Sequence, residues 1–184
     1  MSLFVIGDLH LSLGGDKPMD IFGGWDNYVE RLETNWRRTV ADDDTVMIPG
    51  DISWAMSLNG AVTDFTFINA LPGKKIISKG NHDYWWTTMS KMEKFLDENN
   101  FSTIRILHNN HYEYNDYGIC GTRGWINENG EPADAKVLAR EAQRLEVSIA
   151  SAEKAGLEPL VFLHYPPVYG TSCNYSILEV LHRH

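Results

Sequence analysis

Ligand-type side chains recur in one local setting along this chain, immediately after short apolar runs. Asp8 and His10 follow the run Leu3 to Ile6, and Asp51 follows Thr45 to Ile48. Asn81, His82 and Asp83 follow Lys75 to Ser78, and His164 follows Leu160 to Leu163. Short apolar runs stopped by Gly or Pro read as buried strands. In open α/β sheets, ligands bind beyond the carboxyl ends of strands. Four strand ends would therefore point Asp, His, Asp, Asn, His and His at one rim. Carboxylate and amide oxygens with imidazole nitrogens suit Mn, Fe, Zn or Mg, and a carboxylate can bridge two ions with its two oxygens. A lone Gly-Asp at a strand end is more often a plain turn residue. The signal lies in the set.

The elements that must position these residues alternate. Val29, Leu32, Trp36 and Val40 recur at helical spacing after a glycine-rich loop from Gly14 to Gly24. Ala61, Val62, Phe65 and Ile68 mark a second helix, stopped by Pro72-Gly73. Met89, Met92, Phe95 and Leu96 mark a third. Ile104 to His108, His111 to Tyr114 and Tyr117 to Gly121 are short strand candidates, with Asn115-Asp116 as a tight-turn signal. A long helix follows Pro132, with Leu138, Ala142, Leu145, Ile149 and Ala152 on one face and Gly156 at its end. Pro166-Pro167 stops the strand before His164, and Ile177 to Leu181 reads as a last helix. This alternation predicts an α/β domain with helices packed on sheet faces.

Composition bounds the partners. The 184 residues suit one domain, and 43% hydrophobic with 22% charged residues is the balance of a globular protein. A net charge of −9 argues against broad nucleic-acid binding. A phosphate-bearing substrate would need local positive charge, which divalent metals supply. The two cysteines, Cys120 and Cys173, are far apart and in no metal-type spacing, so they read as reduced, small apolar residues. Met1 to Leu13 has no basic leader, and no run reaches the roughly 18 apolar residues of a membrane span. The expectation is a cytoplasmic protein that does not bind membranes.

Gly7-Asp8-Leu9-His10, Gly50-Asp51, Gly80-Asn81-His82-Asp83 and the His164 strand, in this order, resemble the successive motifs of the calcineurin-like metallophosphoesterases. The resemblance implies two mixed β-sheets sandwiched together and flanked by helices, over one domain spanning residues 1–184. It implies two divalent metal ions (Mn2+, Fe2+/Fe3+ or Zn2+). Asp8 and His10 would bind the first, Asp51 would bridge both, and Asn81 and His164 would bind the second. His82 would stabilise developing charge or protonate the leaving alkoxide, with Asp83 accepting from it and orienting it. The implied reaction is hydrolysis of a phosphate monoester or diester, nucleotides included, by a two-metal-activated hydroxide.

The family pattern continues into a strand ending in Gly-His-x-His, with one imidazole for each ion, and this chain shows no such text. Leu181-His182-Arg183-His184 lacks the glycine and reads as the frayed end of a helix. The expectation is a domain without its C-terminal strands, with more open metal sites and an uncovered sheet edge that invites self-association. The alternative is a catalytically impaired or inactive relative that acts as a metal-binding or interaction module. A metal-dependent amide hydrolase fits less well, because of the Asn81-His82-Asp83 segment. Other residues stay open: Trp54 and Trp85 either pack the core or wall a pocket, Arg123 either contacts phosphate or lies on the surface, and His108 and His111 read as hairpin or surface residues.

Overall fold

The computed structural model describes residues 1–17, 19–125 and 132–184. Position 18, inside the glycine-rich loop, lies outside the described residues. The chain divides into two compact units, Met1–Ile106 and Leu107–His184. The architecture is α/β, with several sheets and five α-helices among the described residues.

In the first unit, β1 (Leu3–Val5), β2 (Thr45–Pro49), β3 (Lys74–Ser78) and β4 (Ile104–Ile106) form a sheet in sequence order, parallel throughout. Parallel neighbours need crossover connections. These are α1 (Tyr28–Thr39), α2 (Val62–Ala70) and α3 (Met89–Glu98), each between the strands it links. The central strands are buried on both faces, and so they read as continuous apolar runs: Val46, Met47, Ile48, Ile76 and Ile77 are all buried. Register pairs Val5 with Met47 and Met47 with Ile76, so the segments after the strands emerge along one edge. Phe65 of α2 anchors the core, with Trp85 and Phe95 edge-on to it at 5.0 and 5.3 Å.

In the second unit, β5 (Tyr112–Tyr114) and β6 (Tyr117–Thr122) form the expected hairpin, with Asn115 at φ 51° in its turn. β7 (Glu158–Leu163) runs parallel to β6 after the crossover helix α4 (Pro132–Lys154). The stripe Ala142, Leu145, Ile149 and Ala152 is buried, in one cluster with Cys120 of β6 and Ile177 and Val180 of α5 (Tyr175–Arg183). The Asn174 side chain caps α5 by accepting from the Ile177 N–H at 3.1 Å. A ribbon of β8 (Val168–Tyr169) and β9 (Ser172–Cys173) follows the double proline, where no strand was expected. Strands of two residues carry no periodicity to read. The chain end also differs from a frayed one. His184 bonds Glu153 at 2.9 Å and Glu146 at 3.0 Å, and Arg183 pairs with Glu146 at 2.7 Å. These carboxylates hold the His184 imidazole above its usual pKa. No helix among the described residues is long and apolar enough to cross a membrane.

Lys75 lies fully buried in β3, and its ammonium donates to the carbonyls of Leu71 and, at 2.8 Å, Gly73. Burial pushes its pKa down to about 8, against the pull of Asp42 in the other direction. The unfolded chain has the ordinary value of 10.5, so between those values it binds a proton that the folded chain does not. The contribution of Lys75 to stability therefore rises with pH across that window and is lost as pH falls through about 8. Urea unfolding of wild type and Lys75→Met at pH values on either side of the window should show the difference moving in favour of wild type as pH rises. A pH-independent difference would contradict this.

Candidate metal centre

Beyond the sheet, the segments after β1 and β2 stay zipped together. Asp8 N–H donates to Gly50 O at 3.1 Å, His10 N–H to Asp51 O at 2.9 Å, Leu11 N–H to Ile52 O at 3.0 Å, and Trp54 N–H to Leu11 O at 2.9 Å. Asp8, His10 and Asp51 each take left-handed backbone conformations, with φ of 57°, 46° and 52°. Every described non-glycine residue with positive φ is Asp, Asn or His, the types that tolerate this region best. Such residues cost about 1–3 kcal/mol each and persist where their surroundings hold them. The same side-chain types thus serve the turn and present donors.

The side chains converge. One carboxylate oxygen of Asp8 and one of Asp51 lie within 4.8 Å of each other. His10 Nε2 is 3.6 Å from Asp8 Oδ1 and 3.8 Å from Asp51 Oδ2. These separations are too long for hydrogen bonds and short enough for the atoms to share one cation. Asp8 is exposed, whereas the Asp51 side chain is 3% exposed, so solvent neutralises little of its charge. Its Oδ1 accepts the His82 N–H at 2.8 Å.

The segment after β3 closes against Asp51. A Cβ on Gly80 would fall 2.0 Å from Asp51 Oδ1 and 2.2 Å from Asp51 N, so only glycine fits there. Asn81 and His82 follow, both half-buried. Asp83 does not accept from the His82 ring as expected. Its Oδ2 accepts from the N–H groups of Asp51 at 2.9 Å and Gly80 at 2.7 Å. Its Oδ1 accepts from Ile52 at 2.8 Å, Ser53 at 3.3 Å and Trp85 Nε1 at 3.1 Å. Backbone donors have claimed both oxygens, which makes Asp83 a positioning residue. Burial pushes its carboxyl pKa up, and those N–H groups pull it back. His82 Nδ1 is buried with no hydrogen-bond partner.

Aromatic rings wall this centre. Trp54 stacks on His10 with centroids 5.1 Å apart and lies 4.4 Å from His82, while Trp25 meets His10 edge-on at 6.1 Å. Trp85 instead belongs to the core, 2% exposed. The two tryptophans that follow ligand loops thus split between wall and core. Tyr28 of α1 donates from its hydroxyl to His10 O at 2.9 Å. Buried Asp64 accepts from the Ser53 hydroxyl and from Leu13 N–H at 2.7 Å, lashing the two loops together; burial raises its pKa. Sequence reading missed Tyr28 and Asp64, since nothing in a helical stripe marks a residue that serves a distant loop. A recess of about 180 Å³ adjoins Trp54, with Lys17 over that ring at 5.2 Å.

In the second unit, His164 directly follows β7, with its ring edge-on to Tyr165 at 5.1 Å. Arg123 is no surface arginine. Its side chain is 12% exposed, stacks over Trp125 at 4.5 Å and faces buried Glu141 at 3.6 Å. His111 Nδ1 bonds Ser151 Oγ at 2.7 Å, joining hairpin to helix. Cys120 is buried and unbridged; its thiol donates to Ser148 O, and burial raises its pKa to about 11.

The donors at Asp8, His10 and Asp51 fit a divalent ion. They are carboxylate and imidazole groups that approach without bonding one another, next to an orphaned imidazole nitrogen. Among solved structures, a protein of unknown function from Aquifex aeolicus matches with a TM-score of 0.46 and 17% identity, over 89% of this chain and 90% of that one. The phosphopantetheinyl hydrolase of Mycobacterium tuberculosis matches with a TM-score of 0.41 and 15% identity, over 98% of this chain and 60% of that one. No curated protein matches by sequence. The family model of the calcineurin-like phosphoesterases matches residues 1–182, and the chain belongs to that family.

Proposed function

We propose that this protein hydrolyses phosphate esters with two divalent metal ions. The observation that carries the reading is the approach of Asp8, His10 and Asp51 without hydrogen bonds among them. Family membership supports phosphoester hydrolysis in general. Asp8 and His10 would hold a first ion, Asn81 and His164 would hold a second, and Asp51 would serve both. Ions held there make water nucleophilic near neutral pH and offset phosphate charge. Asp51 is suited to that shared role because Asp83 immobilises its backbone and its Oδ1 accepts the His82 N–H. His82 presents its imidazole to the departing oxygen. Its ring lies against Trp54, with centroids 4.4 Å apart. Monoesters and diesters, nucleotides among them, suit this chemistry. The general test is hydrolysis of p-nitrophenyl phosphate and its bis-ester with added Mn2+. A folded, metal-loaded protein inert to both would sink the proposal.

Three outcomes follow at the level of residues. Mn2+ or Zn2+ should raise the melting temperature, since a ligand at 100 times its Kd adds about 2.7 kcal/mol. Asp51→Asn should remove most of that shift, and an undiminished shift would place the metals elsewhere. His82→Ala keeps the N–H that bonds Asp51, so it should retain metal while turnover falls about 10²–10⁴-fold. Metal loss in that variant, measured by elemental analysis, would refute the assigned role. Asp83→Ala strips the acceptor from buried N–H groups that cost about 1–3 kcal/mol each when unpaired, so chemical denaturation should show a loss of at least about 3 kcal/mol. A loss below about 1 kcal/mol would mean that water replaces the carboxylate.

A further inference from the structure

A groove of about 520 Å³ lies in the first unit, at the amino ends of β3 and β4, with Arg37, Asn69, Lys74, Thr103 and Arg105 on its walls and Asp42 as its carboxylate. The proposed metal ligands of this unit follow the carboxyl ends of β1, β2 and β3. At about 3.3 Å per residue, β3 alone puts about 13 Å between its two ends, so the groove is separate from the metal centre. Its volume falls within the roughly 300–1,000 Å³ of small-molecule sites.

Apart from Asp42, hydrogen-bonding capacity in the groove is one-sided. The carbonyls of the turn that ends α2 would ordinarily repel an anion. Here each has a donor. Ala70 O accepts from Arg37 at 3.3 Å and Pro72 O from Trp36 Nε1 at 3.0 Å, while Leu71 O and Gly73 O accept from Lys75 Nζ. The Asn69 amide oxygen is occupied as well, by the Thr103 N–H at 3.1 Å and the Thr103 hydroxyl at 2.7 Å. That leaves the Asn69 NH₂ as a donor whose orientation is set by its own oxygen. Arg105 is steadied by the carbonyls of Ser102 and Ile104, at 3.0 and 2.9 Å, and Arg37 by Glu33 at 2.9 Å. Among the described residues, neither Lys74 nor Arg105 has an ion-pair partner. Two cations without ion-pair partners among the described residues and one amide gather here beside a single carboxylate, Asp42, in a chain of net charge −9, with the carbonyls of the turn already taken.

We propose that this groove is a second ligand site, for a phosphorylated small molecule of nucleotide size whose phosphate sits between Lys74 and Arg105. Phosphate oxygens accept and cannot donate when ionised, which matches a wall of donors. The base or sugar of such a ligand would use the remaining volume beside Ala70 and Pro72.

The test uses the full chain with a chelator present, so that the metal centre, with its adjacent carboxylates, offers no phosphate site. Pyrophosphate and ATP are titrated by calorimetry at constant ionic strength, into wild type, Asp51→Asn, and the pair Lys74→Glu with Arg105→Glu. Wild type and Asp51→Asn should bind alike. The charge-reversed pair should bind about tenfold more weakly or worse. Both positions are exposed, and the pair Lys74→Gln with Arg105→Gln serves if charge reversal prevents folding. The proposal is overturned if the altered pair binds as wild type does. It is equally overturned if wild type binds neither probe up to about 10 mM, the range of the weakest specific sites. Neither result bears on metal binding or ester hydrolysis, which are measured separately.

Discussion

Segments that leave a parallel sheet carry backbone N–H groups with no ladder partner, and at the rim of this sheet those groups are buried. Asp83 supplies what they lack. Its carboxylate accepts from Asp51, Ile52, Ser53, Gly80 and the Trp85 ring. A buried N–H without a partner costs as much as a lost hydrogen bond. One side chain therefore ties the loop after β2 to the loop after β3 and to the core. The left-handed backbone at Asp51 can persist because both ends of the turn are held. The close approach of Gly80 to Asp51, which excludes any Cβ, is a consequence of the same clamp.

The rest of the centre is layered on this clamp. Loop-to-loop hydrogen bonds carry the β1 segment alongside the β2 segment, and so bring Asp8 and His10 to Asp51. Asp64 and Tyr28 then fix the outer parts of the β1 loop from two different helices. Trp54 stacks on His10 and Trp25 meets it edge-on, so the ring is held from two sides. The residues with chemistry to do are held by polar contacts to backbone, while their neighbours Leu9, Leu11, Ile52 and Trp85 anchor the loops in the hydrophobic core. Packing sets the sheet, and buried carboxylates set the site.

The two ends of the first sheet meet different demands for a reason that lies in the chain path. Carboxyl ends of strands lead into the loops that carry Asp8, Asp51 and Asp83. Amino ends receive the turns after helices, where Arg37 and Lys75 answer the carbonyls at the end of α2. Lys75 shows how strongly that demand acts, since a lysine sits fully buried to meet it.

The sequence by itself determined the element order, because the buried strands and amphipathic stripes are local patterns with fixed periods. It also determined the family and the residues at the strand ends, since Gly-Asp, Asp-x-His and Gly-Asn-His-Asp are local text. Asn115-Asp116 announced the hairpin in the same way. What a side chain touches across dozens of residues was not legible. Asp83 reaches Asp51 across 32 positions, Asp64 reaches Leu13 across 51 and Tyr28 reaches His10 across 18, and an aspartate after a histidine looks the same whether it orients that ring or clamps a backbone. Trp54 and Trp85 had equal standing as text, and only packing sent one to the wall and the other to the core. Arg123 read equally as a phosphate contact or a surface group, and His184 as part of a frayed end, until Glu141, Glu146 and Glu153 of the long helix faced them. Periodicity and turn chemistry belong to neighbours in sequence, while hydrogen-bond satisfaction and charge pairing belong to neighbours in space, and those exist only once the chain has folded.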